Sequence, residues 1–175
     1  QDISLQAENF RKMLLTLSDD VRVILIKLSD RLHNMRTLDS MTVDKKKKIS
    51  SETLYLYAPL AHRLGLYPIK TELEDLGLEH TKLEEYKEIS QKLKNTKENR
   101  KKYIRKFIRP IKSVLKEKEF SFKIKGRPKS IYSIKKKMIN QNVDFDNVFD
   151  KFAVRIIIDT PLDREKSDCW RVYSF

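Results

Sequence analysis

The sequence is poor in several features that would define a class of protein. Its 175 residues include a single cysteine, Cys169, so neither an internal disulfide nor a thiolate zinc site can form, which favours a reducing compartment. Glycine occurs three times and proline five times, which indicates a globular, helix-rich composition rather than a disordered one. The apolar runs are much shorter than the roughly 20 residues that cross a bilayer, and no signal peptide is recognisable. We therefore expect a soluble, cytoplasmic protein.

Basic residues are the feature in excess. The chain has 38 Lys and Arg against 25 Asp and Glu, a net charge of +13, while 39% of its residues are hydrophobic, enough for a globular core. This surplus favours polyanionic partners such as nucleotides, nucleic acid or acidic lipid. The chain starts at Gln1 without an initiator methionine and stops at WRVYSF without a turn signal. We interpret it as an internal piece of a longer protein.

Helical periodicity extends to about residue 118, and it predicts a series of helices. The first two helices cover 4–17 and 19–38, and the third runs from Asp44 or Ser50 to Leu64, where Gly65 caps it. The fourth starts at Pro68, and Gly77 ends or weakens it. The fifth covers 83–93 and is followed by a KNTKEN connector, after which comes a long helix bent at Pro110. Pro59 lies inside the third helix, and we predict a kink or break near Tyr57 because proline removes one helical hydrogen bond.

From Phe120 the period changes to two, which predicts a strand that Gly126 ends. A helix from Pro128 to Met138, a short helix after Asp144 and a buried strand at 153–158 complete the pattern. The predicted fold class is α+β, with a helical first part followed by a mixed part.

Four polar residues share one line on the second predicted helix. A heptad stripe should face the core, namely Val21, Leu25, Leu28, Leu32 and Met35. The opposite arc carries Asp30, His33, Asn34 and Thr37, preceded on the same arc by Val23 and Ile26, as in the wall of a cleft. The aspartate and histidine could both face a metal. Alternatively, Asp30 pairs with Arg31 or another basic residue and His33 is structural.

A second group follows the predicted strand in GRPKSIYSIKKKM, residues 126–138. Lys129, Ser133 and Lys137 recur at i, i+4 and i+8 and share a helix face, next to a helix N-terminus that favours phosphate. Arg127 can stack on a base or bind phosphate oxygens. Asp150 precedes a buried strand, where it could face a magnesium-bound nucleotide. The alternative is a solvated basic helix face.

These stretches together resemble the RelA/SpoT family of stringent-response enzymes. The motifs that carry the resemblance are DVRVILIKLSDRLHNMRTL, ISSETLYLYAPLAHRLGLYPIKTELEDL, GRPKSIYSIKKKM and VFDKFAVRIIIDT, and they cover nearly the whole chain. The resemblance implies the end of an HD-type hydrolase domain at 1–66, connecting helices at 67–118 and the start of a nucleotidyltransferase-like (p)ppGpp synthetase domain at 119–175. The parent would transfer pyrophosphate from ATP to the 3'-hydroxyl of GDP or GTP and hydrolyse (p)ppGpp.

For the hydrolase, the resemblance implies that Asp30 is a manganese ligand and that Asn34 and Thr37 line the guanine-nucleotide pocket. His33 is then not a ligand, and the remaining ligands belong to a segment upstream, since this sequence contains no His-Asp pair.

For the synthetase, the resemblance implies ATP binding by the basic group at 127–137 and a magnesium ligand at Asp150. The family commonly has histidine where Ser130 stands. No complete catalytic set lies in the chain, so we expect it alone to be inactive in both directions and to bind neither metal tightly. Ribosome association would require regions outside this sequence. Two competing hypotheses are a basic helical nucleic-acid-binding module without catalysis and a regulatory piece that binds nucleotide without turnover.

Overall fold

The computed structural model describes residues 20–175, which form two compact units, one ending at Lys87 and the other comprising Glu88–Phe175. The helix predicted at 4–17 lies outside the described residues. The described part of the first unit is helical, and the second unit combines helices with a two-stranded sheet, which confirms the α+β class. The domain boundaries at 66 and 118 stay predictions.

The first unit is built from helices joined by short turns. In chain order they are α1 (Val21–Arg36), a 3₁₀ turn (Leu38–Ser40), α2 (Val43–Glu52), a π-helical turn (Thr53–Tyr57), α3 (Ala58–Arg63) and α4 (Tyr67–Thr81). Asp20 caps α1, because its carboxylate accepts a hydrogen bond from the backbone N–H of Arg22 at 2.9 Å. Gly65 has a φ of 72°, the left-handed conformation expected after α3.

The kink or break predicted near Tyr57 takes the form of a π turn, and Pro59 does not end the helix. Tyr57 keeps helical backbone angles, φ −76° and ψ −38°, and the chain widens into a π turn over Thr53–Tyr57 immediately before the proline-containing turn. Proline lacks an N–H and its ring crowds the carbonyl one turn earlier. A wider turn accommodates both effects without ending the helix.

The core of the first unit lies between α1, α3 and α4. Its fully or nearly fully buried members are Ile24, Leu28, Met35, Leu38, Ala58, Leu60, Ala61 and Leu73. The heptad stripe predicted for α1 is therefore partly wrong, since Val21 and Leu25 are 50% and 41% exposed while Ile24 is fully buried. At 100° per residue, Ile24, Leu28 and Met35 lie on one line, and this line faces α4.

Gly77 does not end the fourth predicted helix, because α4 continues through it to Thr81. A Cβ atom at Gly77 would lie 2.7 Å from the side chain of Leu54. The glycine therefore marks a close contact between α4 and the π turn.

The second unit starts within a helix pair. Helix α5 (Leu83–Asn95) crosses from the first unit into the second, and α6 (Lys97–Glu117) follows after Thr96 alone, so the predicted KNTKEN connector is mostly helical. The remaining elements are β1 (Ser121–Pro128), α7 (Ile131–Gln141), a 3₁₀ turn (Phe145–Asn147), β2 (Phe152–Asp159) and α8 (Glu165–Tyr173). Ile89, Ile134 and Phe145 form a small buried core between α5, α7 and the 3₁₀ turn.

The two strands pair antiparallel from Ser121↔Asp159 to Pro128↔Phe152. Strand β1 therefore continues through Gly126, which was predicted to end it, and α7 begins at Ile131 rather than at Pro128. Gly126 is required by close packing, because a Cβ atom there would lie 2.4 Å from Cγ2 of Ile104 on α6. The glycine lets the strand approach the helix.

This contact gives a stability prediction. Gly126→Ala should lower the free energy of unfolding of the second unit by about 1–3 kcal/mol, the usual cost of overpacking, since the β-branched Ile104 cannot move its Cγ2 freely. Urea denaturation followed by circular dichroism measures the change. Lys125→Ala, at the neighbouring exposed position, is the control and should change stability by less than about 0.5 kcal/mol. Equal stability of the two variants would contradict the packing argument.

Candidate functional site

The link from β1 to α7 brings the predicted phosphate-binding residues together. The antiparallel pairing extends one residue beyond the sheet, because the backbone N–H of Lys129 donates to the carbonyl oxygen of Lys151 at 3.0 Å. This bond places Lys129 beside Asp150, which immediately precedes Lys151. The two residues are 21 positions apart in sequence, and the strand register makes them neighbours.

Three charged side chains form the centre of the site. The ammonium groups of Lys129 and Lys137 both donate to Oδ2 of Asp150. Lys137 reaches the carboxylate from the second turn of α7, and Lys129 reaches it from the strand–helix link. The side chains are 23%, 28% and 54% exposed for Lys129, Lys137 and Asp150, so the cluster is open to solvent. We call these three residues the Lys–Asp–Lys cluster.

The electrostatics of the cluster follow from its hydrogen bonds and partial burial. The bond from Lys129, then that from Lys137, lowers the pKa of Asp150, so the carboxylate stays ionised at neutral pH. The bond to Asp150 raises the pKa of Lys137. Loss of solvation lowers the pKa of Lys129 and outweighs its bond to Asp150. Two cations against one carboxylate leave a net positive charge that attracts anions.

Ser133 and Arg127 lie next to the cluster in sequence, but the contacts that the structure gives them do not include Asp150. The Ser133 hydroxyl lies 2.9 Å from that of Ser130, and the backbone N–H of Ser133 donates to Ser130 Oγ at 3.2 Å. Ser130 is thus the N-cap of α7, a role that the sequence analysis did not assign. The sequence contains a signal for this cap, because serine is a preferred N-cap residue and Ser133 follows Ser130 by three positions. Arg127 is exposed on β1 opposite Ala153.

The predicted hydrolase residues lie near the end of α1. Asn34 donates its side-chain N–H to Oδ2 of Asp30 at 3.2 Å, so these two share one face. The Thr37 hydroxyl instead donates to the backbone oxygen of His33 at 3.1 Å, where Thr37 ends the helix. Arg31 does not neutralise Asp30, because it pairs with Glu52 at 3.0 Å.

The start of α1 is not buried on the arc of the polar residues, contrary to the comparison with the wall of a cleft. Val23 and Ile26, which share the arc of the polar residues, are 36% and 69% exposed. They therefore form an apolar surface that leads to Asp30 rather than a second buried stripe.

The metal-binding capacity of the two candidate sites differs. Over residues 20–175, no group of three or more His, Cys, Asp or Glu side chains is arranged to hold a metal. Asp30 alone supplies too few ligands for manganese, and no hydrolytic step can be derived from it. Asp150 fits magnesium better, because magnesium in nucleotide sites is held by one or two carboxylates together with phosphate oxygens.

Two known protein families match separate parts of the chain. The family described as "HD domain" matches residues 1–67, and the family described as "Region found in RelA / SpoT proteins" matches residues 126–175. An HD-type part thus lies within the first unit, and a RelA/SpoT region lies within the second. The HD match supports dependence on a divalent metal.

Curated relatives agree with this class. The chain is 50% identical over 155 residues to "GTP pyrophosphokinase" of Myxococcus xanthus, covering 89% of this chain and 20% of that protein. It is 45% identical over 167 residues to "Bifunctional (p)ppGpp synthase/hydrolase SpoT" of Escherichia coli strain K12, covering 95% and 23% respectively. The chain belongs to the RelA/SpoT family, and it spans about a fifth of the length of these relatives. Among the described helices, none is both long and apolar enough to cross a membrane.

Proposed function

We propose that the Lys–Asp–Lys cluster, with Arg127 and Ser133, is the ATP-binding part of a (p)ppGpp synthetase. The observation that carries this proposal is the convergence of Lys129 and Lys137 on Asp150. Two ammonium groups held at one point can bind neighbouring phosphate oxygens of a triphosphate, which carries several negative charges. The whole protein would then transfer pyrophosphate from ATP to the 3'-hydroxyl of GDP or GTP.

Each residue has a distinct proposed role. Lys129 and Lys137 exchange the carboxylate of Asp150 for phosphate oxygens and neutralise them. Asp150 holds magnesium, which when bound supplies positive charge to the phosphates during transfer. Arg127, exposed at the end of β1, stacks its planar guanidinium on the adenine. Ser133 contributes a hydroxyl at the first turn of α7, where the helix N-terminus also favours anions.

The first unit contributes to the opposite reaction in the same proposal. Asp30 serves as one manganese ligand of a (p)ppGpp hydrolase, and Asn34 and Thr37 line the guanine-nucleotide pocket. The contact between Asn34 and Asp30 supports a common wall for metal and nucleotide, since it places an amide and a carboxylate on one helix face. The name of the Escherichia coli relative, which includes both synthesis and hydrolysis, supports a bifunctional parent. The same proposal assigns this parent to the cytoplasm.

Binding of magnesium and ATP by the chain tests the synthetase part. Titration calorimetry should give saturable binding, and Lys129→Ala should weaken it by about tenfold or more, since a hydrogen bond to a charged group contributes roughly 1.5–3 kcal/mol. Lys136→Ala is the matched control, because Lys136 is exposed on the same helix and should leave the affinity within about twofold.

Two results would contradict the proposal. One is no saturable binding of ATP with magnesium. The other is an equal loss in the two lysine variants with a steep dependence on salt, which would indicate a diffuse basic surface of the kind that binds nucleic acid.

A further inference from the structure

The second unit contains a basic cavity that the proposed ATP site does not include. It has a volume of about 490 Å³ and lies between α5, α6 and the end of β1. Its lining consists of five cationic side chains and a set of small or apolar residues, namely Lys94, Lys97, Arg100, Lys101 and Arg105 with Ser90, Leu93, Ile104, Gly126 and Pro128. Cavities of this size commonly hold small ligands.

Arg100 is the residue with an unmet hydrogen-bonding requirement. Its Nη2 donates to the backbone oxygen of Leu93 at 3.1 Å, which holds the guanidinium in place. Its Nη1 is buried and has no hydrogen-bond partner. A buried donor without a partner is costly, more so when it carries charge, so an acceptor that reached Arg100 after a local rearrangement would stabilise it.

The charge around the cavity is only partly neutralised. Lys101 pairs with Glu98 at 2.8 Å, and this hydrogen bond lowers the pKa of Glu98. Lys97 and Arg105 interact with the same carboxylate more weakly. One carboxylate shared among these cations leaves the cavity with a net positive charge, which favours an anionic ligand.

The cavity is separate from the proposed ATP site. Gly126 and Pro128 line it, and Gly126 faces α6. Side chains alternate along a strand, so Arg127 lies on the other face of β1. One strand thus has a residue of the proposed ATP site on one face and this cavity on the other.

We propose that this cavity is a second anion site, which binds a small phosphorylated ligand. The cations bind the phosphate groups. The apolar residues Leu93, Ile104 and Pro128 contact the remainder of the ligand, to which the phosphate groups are attached. A small ligand is favoured over single-stranded nucleic acid, because the residues that line the cavity include no aromatic side chain on which bases could stack.

The test uses the full 175-residue chain carrying Lys129→Ala and Lys137→Ala, which removes the Lys–Asp–Lys cluster as a phosphate site. Tripolyphosphate and GTP are titrated separately by calorimetry. Two further double variants are compared on this background. Lys94→Ala with Lys97→Ala alters the cavity, whereas Lys102→Ala with Lys106→Ala removes the same charge from the opposite face of α6.

The expected result is saturable binding of at least one probe that the cavity variant weakens by about tenfold or more and the control variant changes by less than about twofold. Tighter binding of GTP than of tripolyphosphate would identify a nucleotide as the ligand, and equal binding would identify the phosphate chain alone as the recognised group. The proposal is overturned by the absence of saturable binding or by equal weakening in both variants. It is also overturned if a short single-stranded RNA binds more tightly than either probe and responds equally to both variants.

Discussion

Asp150→Asn should increase the affinity of the chain for magnesium-free tripolyphosphate by about fivefold and remove the benefit of magnesium. In the structure, the Asp150 carboxylate holds both Lys129 and Lys137, so a triphosphate must displace it and also approach its negative charge. Two unit charges 4 Å apart interact with about 1 kcal/mol in water and roughly 4 kcal/mol at an effective dielectric constant of 20. Because the Asp150 side chain is 54% exposed, an effect near the lower value is expected, which corresponds to about fivefold.

Calorimetric titrations with and without magnesium measure this exchange of partners. The wild-type chain should bind the triphosphate more tightly when magnesium is present, since the cation gives Asp150 a new partner and frees the lysines. In Asp150→Asn the two titrations should agree. Asp146→Asn, an exposed position in the neighbouring 3₁₀ turn, is the control for charge and should behave like the wild type. Weaker magnesium-free binding by Asp150→Asn would mean that the carboxylate only orders the lysines.

The lowered pKa of Asp150 also predicts how the stability of the chain depends on pH. Both lysines lower the pKa of Asp150, so the stability that their bonds contribute is present above the unfolded-state pKa of an aspartate and is lost as pH falls through the folded-state value. Asp150→Asn should therefore reduce the loss of stability on acidification.

The sequence predicted the helix and the strand of the candidate site better than it predicted which side chains meet there. The spacing of Lys129 and Lys137 is a local property of a helix, and the strand before them follows from a period of two. Their meeting with Asp150 depends on the register Pro128↔Phe152 and on the bond between Lys129 and Lys151. Register is set by pairing across 21 or more residues, which no local pattern specifies.

The errors in the predicted fold have the same origin. Local propensity predicts that Gly77 ends or weakens its helix and that Gly126 ends its strand, because glycine is unfavourable inside both elements. In the structure both lie inside their elements, where Leu54 and Ile104 occupy the space of the missing Cβ. These partners are distant in sequence, so propensity alone could not distinguish a terminating glycine from one that permits close packing.

The choice of the buried face on α1 could not be made from the heptad pattern either. Apolar residues occur nearly all around the first half of this helix, and both Ile24 and Leu25 fit an amphipathic stripe. Packing against α4 selects the line through Ile24 and Leu28. This selection also determines the direction in which Asp30 and Asn34 point.

Leu28→Ala should therefore lower the free energy of unfolding of the first unit by about 2–5 kcal/mol, because Leu28 is fully buried and truncation leaves a cavity beside α4. Leu25→Ala removes the same atoms from a position that is 41% exposed and should cost less than about 1 kcal/mol. Urea denaturation followed by far-ultraviolet circular dichroism gives both values. If Leu25→Ala proved the more destabilising, the heptad face would be the buried one, and Asp30 and Asn34 would have to be reassigned to a different side of the helix. The expected order instead keeps them on a face whose orientation the α1–α4 contact fixes.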